Sequence, residues 1–261
     1  MCKVSAAFTE RINLSRNEVY GVTKLRNEIY ILCHSFPHVI CVFEDRLPFR
    51  LQKEIKIKEI KEPIDIRSSE NDNCLYIADH ARKCLWKIIM EIGDVHKIVK
   101  WLVLDYKPTS LSMSSDGHVL VFSHAWSILK IYGSNAELLR SITLPRDIKK
   151  SIHAVEIPTG NFIILHWWMD EKAAEDGRNG DWLTVISEVS RDGQMVVRRF
   201  IPSNEAHELN APEYLSLDSD DGVFVADRGN NRVILLDSDL KWNQIICPTN
   251  EENGSISLSI S

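Results

Sequence analysis

The segment from Pro212 to Leu236, PEYLSLDSDDGVFVADRGNNRVILL, decides the fold. Tyr214-Leu215-Ser216-Leu217 alternates at period two, the spacing of a strand with one buried face. Asp218-Ser219-Asp220-Asp221-Gly222 is a polar turn closed by glycine, and Val223-Phe224-Val225-Ala226-Asp227 is a second β-rich run. Arg228-Gly229-Asn230-Asn231 breaks the chain again before a third apolar run, Arg232-Val233-Ile234-Leu235-Leu236. A sheet this small cannot bury its own apolar faces, so the segment predicts further copies of itself elsewhere in the chain.

The copies are present. The second run recurs as Tyr30-Ile31-Leu32-Cys33-His34, Tyr76-Ile77-Ala78-Asp79-His80, Leu120-Val121-Phe122-Ser123-His124, Phe162-Ile163-Ile164-Leu165-His166 and Phe224-Val225-Ala226-Asp227-Arg228. Their last residues are 46, 44, 42 and 62 apart. The long interval contains a polar insertion, Met169 to Asp181, whose composition predicts a loop. A third segment follows each run, as in Cys84 to Ile88, and then a fourth, as in Leu51 to Ile57 or Met195 to Ile201. Four antiparallel strands in about 45 residues is the unit of a β-propeller blade. The chain therefore reads as all-β, a β-propeller of four-stranded antiparallel blades with five recognisable units. Helical periodicity is nearly absent: Lys53 to Glu62 alternates charged residues with isoleucine and predicts strand.

The fifth unit adds a family likeness. Asn210-Ala211-Pro212-Glu213-Tyr214-Leu215-Ser216-Leu217-Asp218, Gly222-Val223-Phe224-Val225-Ala226-Asp227 and Asn230-Asn231-Arg232-Val233 together resemble an NHL repeat. The second unit resembles it through Tyr76-Ile77-Ala78-Asp79 and Arg82, whereas the other three keep the apolar pattern and lose the aspartate. The resemblance implies a propeller, commonly of six blades, used as a recognition platform like the substrate-binding end of tripartite-motif ubiquitin ligases. The aspartate also has a physical reason: Asp227 closes a strand where a turn exposes backbone amides, which a carboxylate accepts from. Gly229 and Asn230 tolerate positive φ there, and Arg232 is placed to close the turn as an ion pair. Asp79, Arg82, Asp227 and Arg232 are thus expected to be structural.

Residues 19–247 are expected to form the propeller, leaving residues 1–18 and 248–261 as ends. The tail GSISLSIS alternates perfectly and is expected to give at most one strand, as is Val4 to Leu14, so the two ends could build part of a sixth blade; the alternative expectation is a fragment or variant isoform lacking the sixth blade.

In a propeller, connections between second and third strands emerge on one face. By the repeat alignment that face displays a ring of His34, His80, His124, His166 and Arg228, accompanied by Phe36, Arg82, Trp126, Trp167, Trp168 and Trp182. Tryptophan and arginine are the residues most enriched where partners bind. A zinc ion shared by the histidines is disfavoured, because zinc requires its nitrogens at about 2.0 to 2.1 Å whereas neighbouring turns stand on the order of 10 Å apart. Any single histidine is expected to satisfy backbone groups in its own turn, and at least two of the four tryptophans are expected to pack between blades. Histidines with ordinary pKa values would strengthen the hold on an acidic partner as pH falls.

Composition narrows the classes further. Net charge is −6, from 31 basic and 37 acidic residues, which argues against a surface built throughout for nucleic acid phosphates. Six cysteines without a CxxC pair predict reduced thiols rather than zinc or a disulfide scaffold, the alternative being intra-hairpin bridges Cys33 to Cys41 and Cys74 to Cys84. No signal-peptide or membrane-span pattern is present, so a soluble cytoplasmic protein is expected. GxSxG, HExxH, P-loop and GxGxxG motifs are absent, and Asp218 to Gly222 lacks the glutamate of a calcium loop. The expectation is a non-catalytic platform for a protein or peptide, with no cofactor and no membrane partner. The alternatives are a metal-dependent propeller hydrolase, lactonase or lyase, and an RNA-binding module.

Overall fold

The computed structural model describes residues 19–247 apart from 36, 91–95, 124–126, 170–181 and 203. Among the described residues, twenty strands form five four-stranded antiparallel sheets arranged in a ring, a five-bladed β-propeller. Blade 1 comprises β1 (Val19–Leu25), β2 (Glu28–Cys33), β3 (Val39–Glu44) and β4 (Leu51–Lys56). Blade 2 comprises β5 (Pro63–Ser69), β6 (Cys74–Asp79), β7 (Cys84–Met90) and β8 (His96–Val103). Blade 3 holds β9 (Ser110–Met113), β10 (Val119–Ser123), β11 (Ile128–Tyr132) and β12 (Leu138–Thr143). Blade 4 holds β13 (Lys149–Glu156), β14 (Phe162–Met169), β15 (Trp182–Val189) and β16 (Val196–Phe200). Blade 5 holds β17 (Pro212–Leu217), β18 (Val223–Asp227), β19 (Arg232–Leu236) and β20 (Trp242–Cys247). The two end segments expected to contribute to a sixth blade lie outside the described residues.

The second strand of each blade is buried on both faces, which is why it reads as a near-continuous apolar run. Successive residues point to opposite neighbours. In blade 2, Ile77 joins a core with blade 1 while Tyr76 and Ala78 join a core with blade 3. Val121 and Phe122 divide in the same way between blades 2 and 4, and Ile164 and Leu165 between blades 3 and 5. A fifth cluster, of Ile31, Cys33, Cys41 and Phe43, occupies the face of blade 1 turned away from blade 2. The alternation also separates Cys74 from Cys84: one packs towards blade 3 and the other towards blade 1. A bridge between them would have to pass through the sheet, so that intra-hairpin disulfide is excluded.

Aligned by these cores, the residue ending each second-strand core is Cys33, Asp79, Ser123, His166 and Asp227, and all five are buried. Asp79 accepts the amides of Lys61, Glu62 and Arg82 and the indole N–H of Trp86, at 3.0 to 3.2 Å. Asp227 accepts the Asn210 amide at 2.7 Å, the Asn230 side chain at 2.8 Å and Arg232 Nε at 2.7 Å. The carboxylates therefore tie the incoming loop of a blade to its second and third strands. Positive φ falls not on Gly229 or Asn230 but on Asn231, matched by Lys83 and Ser127 four residues after Asp79 and Ser123. Gly229 is needed for close approach: a Cβ there would lie 2.5 to 2.7 Å from Asn210.

Asp227→Ala leaves Arg232 Nε and the Asn210 backbone amide without their acceptor in a buried site, while Arg232 Nη1 and Nη2 and the Asn230 side chain keep the Ala206 and Glu208 carbonyls. Urea unfolding should show a loss of about 3 kcal/mol. A loss below about 0.5 kcal/mol would assign the carboxylate to something other than the fold.

Candidate functional site

Loops entering each blade and connections between second and third strands share one face, because they bond to each other: His80 N to Glu62 O, Leu104 N to Lys83 O and Leu144 N to Ser127 O. On this face the expected ring is only partly assembled. His34 packs its ring 5.2 Å from Tyr20 and 5.6 Å from His38. His80 places Nδ1 2.9 Å from the Pro108 carbonyl, and exposed Arg228 pairs with Glu213 at 2.8 Å. Arg82 is exposed, with Nε 3.7 Å from Asp79. Phe36, His124 and Trp126 lie outside the described residues, and for Trp182 only its place at the start of β15 is described. Among the described residues no three His, Cys, Asp or Glu side chains gather as a metal site.

His166 is not in a turn. β14 runs on to Met169, pairing Trp167 with Thr184 and Trp168 with Leu183, so His166 occupies the buried position held by Asp79 and Asp227. Trp167 takes the ring position instead. A register one residue off sends every side chain to the other face, and here it exchanges a core histidine for a half-exposed indole. His166 Nδ1 lies 2.8 Å from the Trp167 carbonyl, which can only accept, so Nε2 accepts from the Ser187 hydroxyl at 2.8 Å. Ser187 in turn accepts Arg199 Nε at 2.8 Å, and Arg199 is anchored by Asp147 at 2.5 Å. Burial, with Arg199 adding to it against the Trp167 carbonyl, pushes the His166 pKa down to about 4. This histidine therefore contributes no charge to the face at neutral pH. The chain supports two indoles: Arg199 lies 5.2 Å from the Trp168 ring centroid, and Lys150 covers Trp167 at 5.4 Å. Neither tryptophan belongs to the core.

A second constellation stands at the axis, and residue spacing did not reveal it. The inner-strand residues paired with Leu32, Ala78, Phe122, Leu165 and Ala226 are Gly21, Asp65, Ser110, His153 and Tyr214. Asp65 accepts the amides of Ile66 and Leu111 at 2.8 Å, the latter from the inner strand of blade 3. Arg67, 3.3 Å from Asp65, crosses the axis: Nη2 lies 3.0 Å from His153 Nε2 and the guanidinium 4.5 Å from the Tyr214 ring centroid. His153 and Tyr214 rings sit 4.2 Å apart. Blades 2, 4 and 5 thus meet on one arginine. A guanidinium only donates, so His153 Nε2 accepts and the ring is neutral, consistent with a pKa held well below its ordinary value by burial and then by Arg67. Burial raises Asp65 against the pull of Arg67 and the two amides, and lowers Arg67 against the pull of Asp65. Tyr214 OH, Ser110 Oγ and Ser112 Oγ are buried without a hydrogen-bond partner among the described residues. His153 Nδ1 likewise lacks a bond of good geometry, although the Leu111 backbone lies near enough to favour the charged ring weakly.

Each of these residues is in regular register with its second strand, 12, 14, 13, 13 and 13 positions before the strand-ending residue, so turn length and the change of side-chain type, not a shifted register, hide the layer from a sequence reading. The usable signal is the residue paired with the position before each strand-ending core residue.

No protein-family model and no curated protein matches the chain. Solved propellers do. Hydrazine synthase of Kuenenia stuttgartiensis is 13% identical, with a TM-score of 0.61 over 88% of this chain and 80% of that one. Virginiamycin B lyase of Staphylococcus aureus is 12% identical, with a TM-score of 0.58 over 92% and 87%. The WD40 propeller of Doa1 is 11% identical, with a TM-score of 0.55 over 90% and 70%. At these identities the likeness is one of fold, shared by enzymes and by a WD40 domain alike.

His166 yields a pH prediction. Its folded pKa lies below the unfolded value, so as pH falls the unfolded chain takes up the proton first. The stability is complete above about pH 6.5 and is lost as pH falls through about 4. Urea unfolding at pH 7 and pH 4 should show a loss about 3 kcal/mol larger in the native chain than in His166→Gln. Equal losses would mean that His166 titrates normally.

Proposed function

We propose that the chain is a non-catalytic recognition propeller of NHL-like type that takes up a protein or peptide segment on the face carrying His34, His80, Arg82, Trp167, Trp168 and Arg228. The observation that carries this reading is the extension of β14 beyond the core. Folding requires the strand as far as buried His166, yet it continues through two half-exposed tryptophans, each backed by a cation. Rigid indoles bury large areas at small entropic cost, and such residues dominate binding energy. Exposed Lys149, paired with Trp167, and Lys150, over the same indole, favour an acidic segment. A role at the substrate-binding end of a ubiquitin-ligase assembly belongs to the same proposal, as does a cytoplasmic location, which the free thiols of Cys33, Cys41, Cys74 and Cys84 support.

A second reading, a small polar ligand held in the channel as in a propeller enzyme, is favoured by the unpartnered polar atoms around Arg67. The two readings separate by mutation. A peptide selected from a random display library should bind Trp168→Ala about 10- to 100-fold more weakly, with the circular dichroism spectrum unchanged. It should bind His153→Gln as well as it binds the native chain. Loss at His153 with no loss at Trp168 would move function to the channel, and unfolding of the Trp168 variant would return that residue to the core.

A further inference from the structure

Cys33 on β2 and Cys41 on β3 share one face of blade 1. Their direct partners are Val39 and Ile31, so the two cysteines are diagonal neighbours, with sulfurs 3.7 Å apart. Both are free thiols, Cys33 fully buried and Cys41 5% exposed. Cys33 donates towards the Cys41 sulfur and also has the Ile31 carbonyl at 3.6 Å. Cys74 and Cys84 have no such relation, being buried on opposite faces of blade 2. The pair therefore has a geometry that two other buried thiols of the same fold lack.

We propose that Cys33 and Cys41 are a peroxide-reactive thiol pair that closes to an intramolecular disulfide, with Cys41 as the attacking sulfur and Cys33 as the resolving one. The assignment of roles follows from exposure: Cys41 is the thiol that reaches solvent, whereas Cys33 is fully buried beneath it and meets only the Cys41 sulfur and the Ile31 carbonyl. Contact with the Cys33 thiol favours the Cys41 thiolate, and the same contact and burial disfavour that of Cys33. The Cys41 thiolate attacks one oxygen of a hydroperoxide. The O–O bond breaks, an S–O bond forms, and the departing oxygen takes the proton that Cys41 released. Cys33 sulfur then attacks the sulfenic sulfur of Cys41. The S–S bond forms, the S–O bond breaks, and hydroxide leaves with the Cys33 proton as water. Two thiols give up two electrons and the peroxide receives them. Closing the sulfurs from 3.7 Å to about 2.05 Å across a diagonal pair requires β2 and β3 to shift slightly against each other at this end of the hairpin. The bridge would pin both ends of the connection bearing His34. The proposal is independent of what, if anything, docks on that face.

The test uses the full reduced chain and hydrogen peroxide, with quenching by N-ethylmaleimide and peptide mapping by mass spectrometry. Cys33 and Cys41 should lose alkylation together, as a linked peptide pair, about tenfold faster than Cys74 and Cys84. With Cys33→Ser the reaction should stop at the sulfenic acid, which dimedone traps on Cys41. Oxidation of Cys41 no faster than that of Cys74 and Cys84, or its capture by a cysteine other than Cys33, overturns the proposal. Absence of a dimedone adduct on Cys41 in a folded Cys33→Ser variant does so too, and the unsubstituted chain decides the matter should that variant not fold.

Discussion

One buried cation sets the terms for the centre of this molecule. Arg67 lies on an inner strand where water has been largely excluded, and a guanidinium cannot escape the cost by losing its proton. It is compensated by Asp65 two residues away on the same strand, by the Ile66 carbonyl at 2.7 Å, by the neutral imidazole of His153 and by the face of Tyr214. These groups come from blades 2, 4 and 5, so the cost of burying the charge is met only when the ring has brought the blades together. Asp65 extends the constraint to blade 3 through the Leu111 amide, and Gly21 brings the inner strand of blade 1 close to it: a Cβ there would lie 3.1 Å from the Asp65 carboxylate.

Away from the axis, a single structural task is solved with five different side chains. The buried position at the end of each second-strand core is cysteine, aspartate, serine, histidine and aspartate in turn. Where it is aspartate, amides and a cation converge on it. Where it is histidine, the ring is kept neutral and spans from a carbonyl to a serine that braces Arg199. This drift explains why only the fifth unit carries a strong repeat motif and why the fold outlasts recognisable sequence similarity. The same drift gives the blades different outer chemistry: a thiol pair in the first, paired indoles in the fourth and an arginine-capped turn in the fifth.

The architecture was legible because it depends on coarse features, namely apolar runs, polar turns and a period near 45 residues, all of which survive such drift. The positions of individual side chains were less legible. Aligning His166 with His34 and His80 places it one residue too far out, because Trp167 and Trp168 extend the strand past its usual end and hide the boundary. The axial layer was invisible for another reason. Turns of different length set the axial residue 12 to 14 positions before the strand-ending one, and glycine, aspartate, serine, histidine and tyrosine there share no side-chain type that would mark the layer. Asp227 and Arg232 were readable as a pair because both sit beside one short turn, where sequence distance and spatial distance agree.

The most direct measurement of whether the axis is stitched as described is a double-mutant cycle on Asp65→Ala and Arg67→Met, read by urea unfolding of the full chain. Removal of either partner leaves the other charge buried and uncompensated, so the double variant should be less destabilised than the sum of the two singles, with a coupling of about 2 kcal/mol or more. Additivity within about 0.5 kcal/mol would show that the two charges do not sense each other and that the centre of the propeller is held by something else.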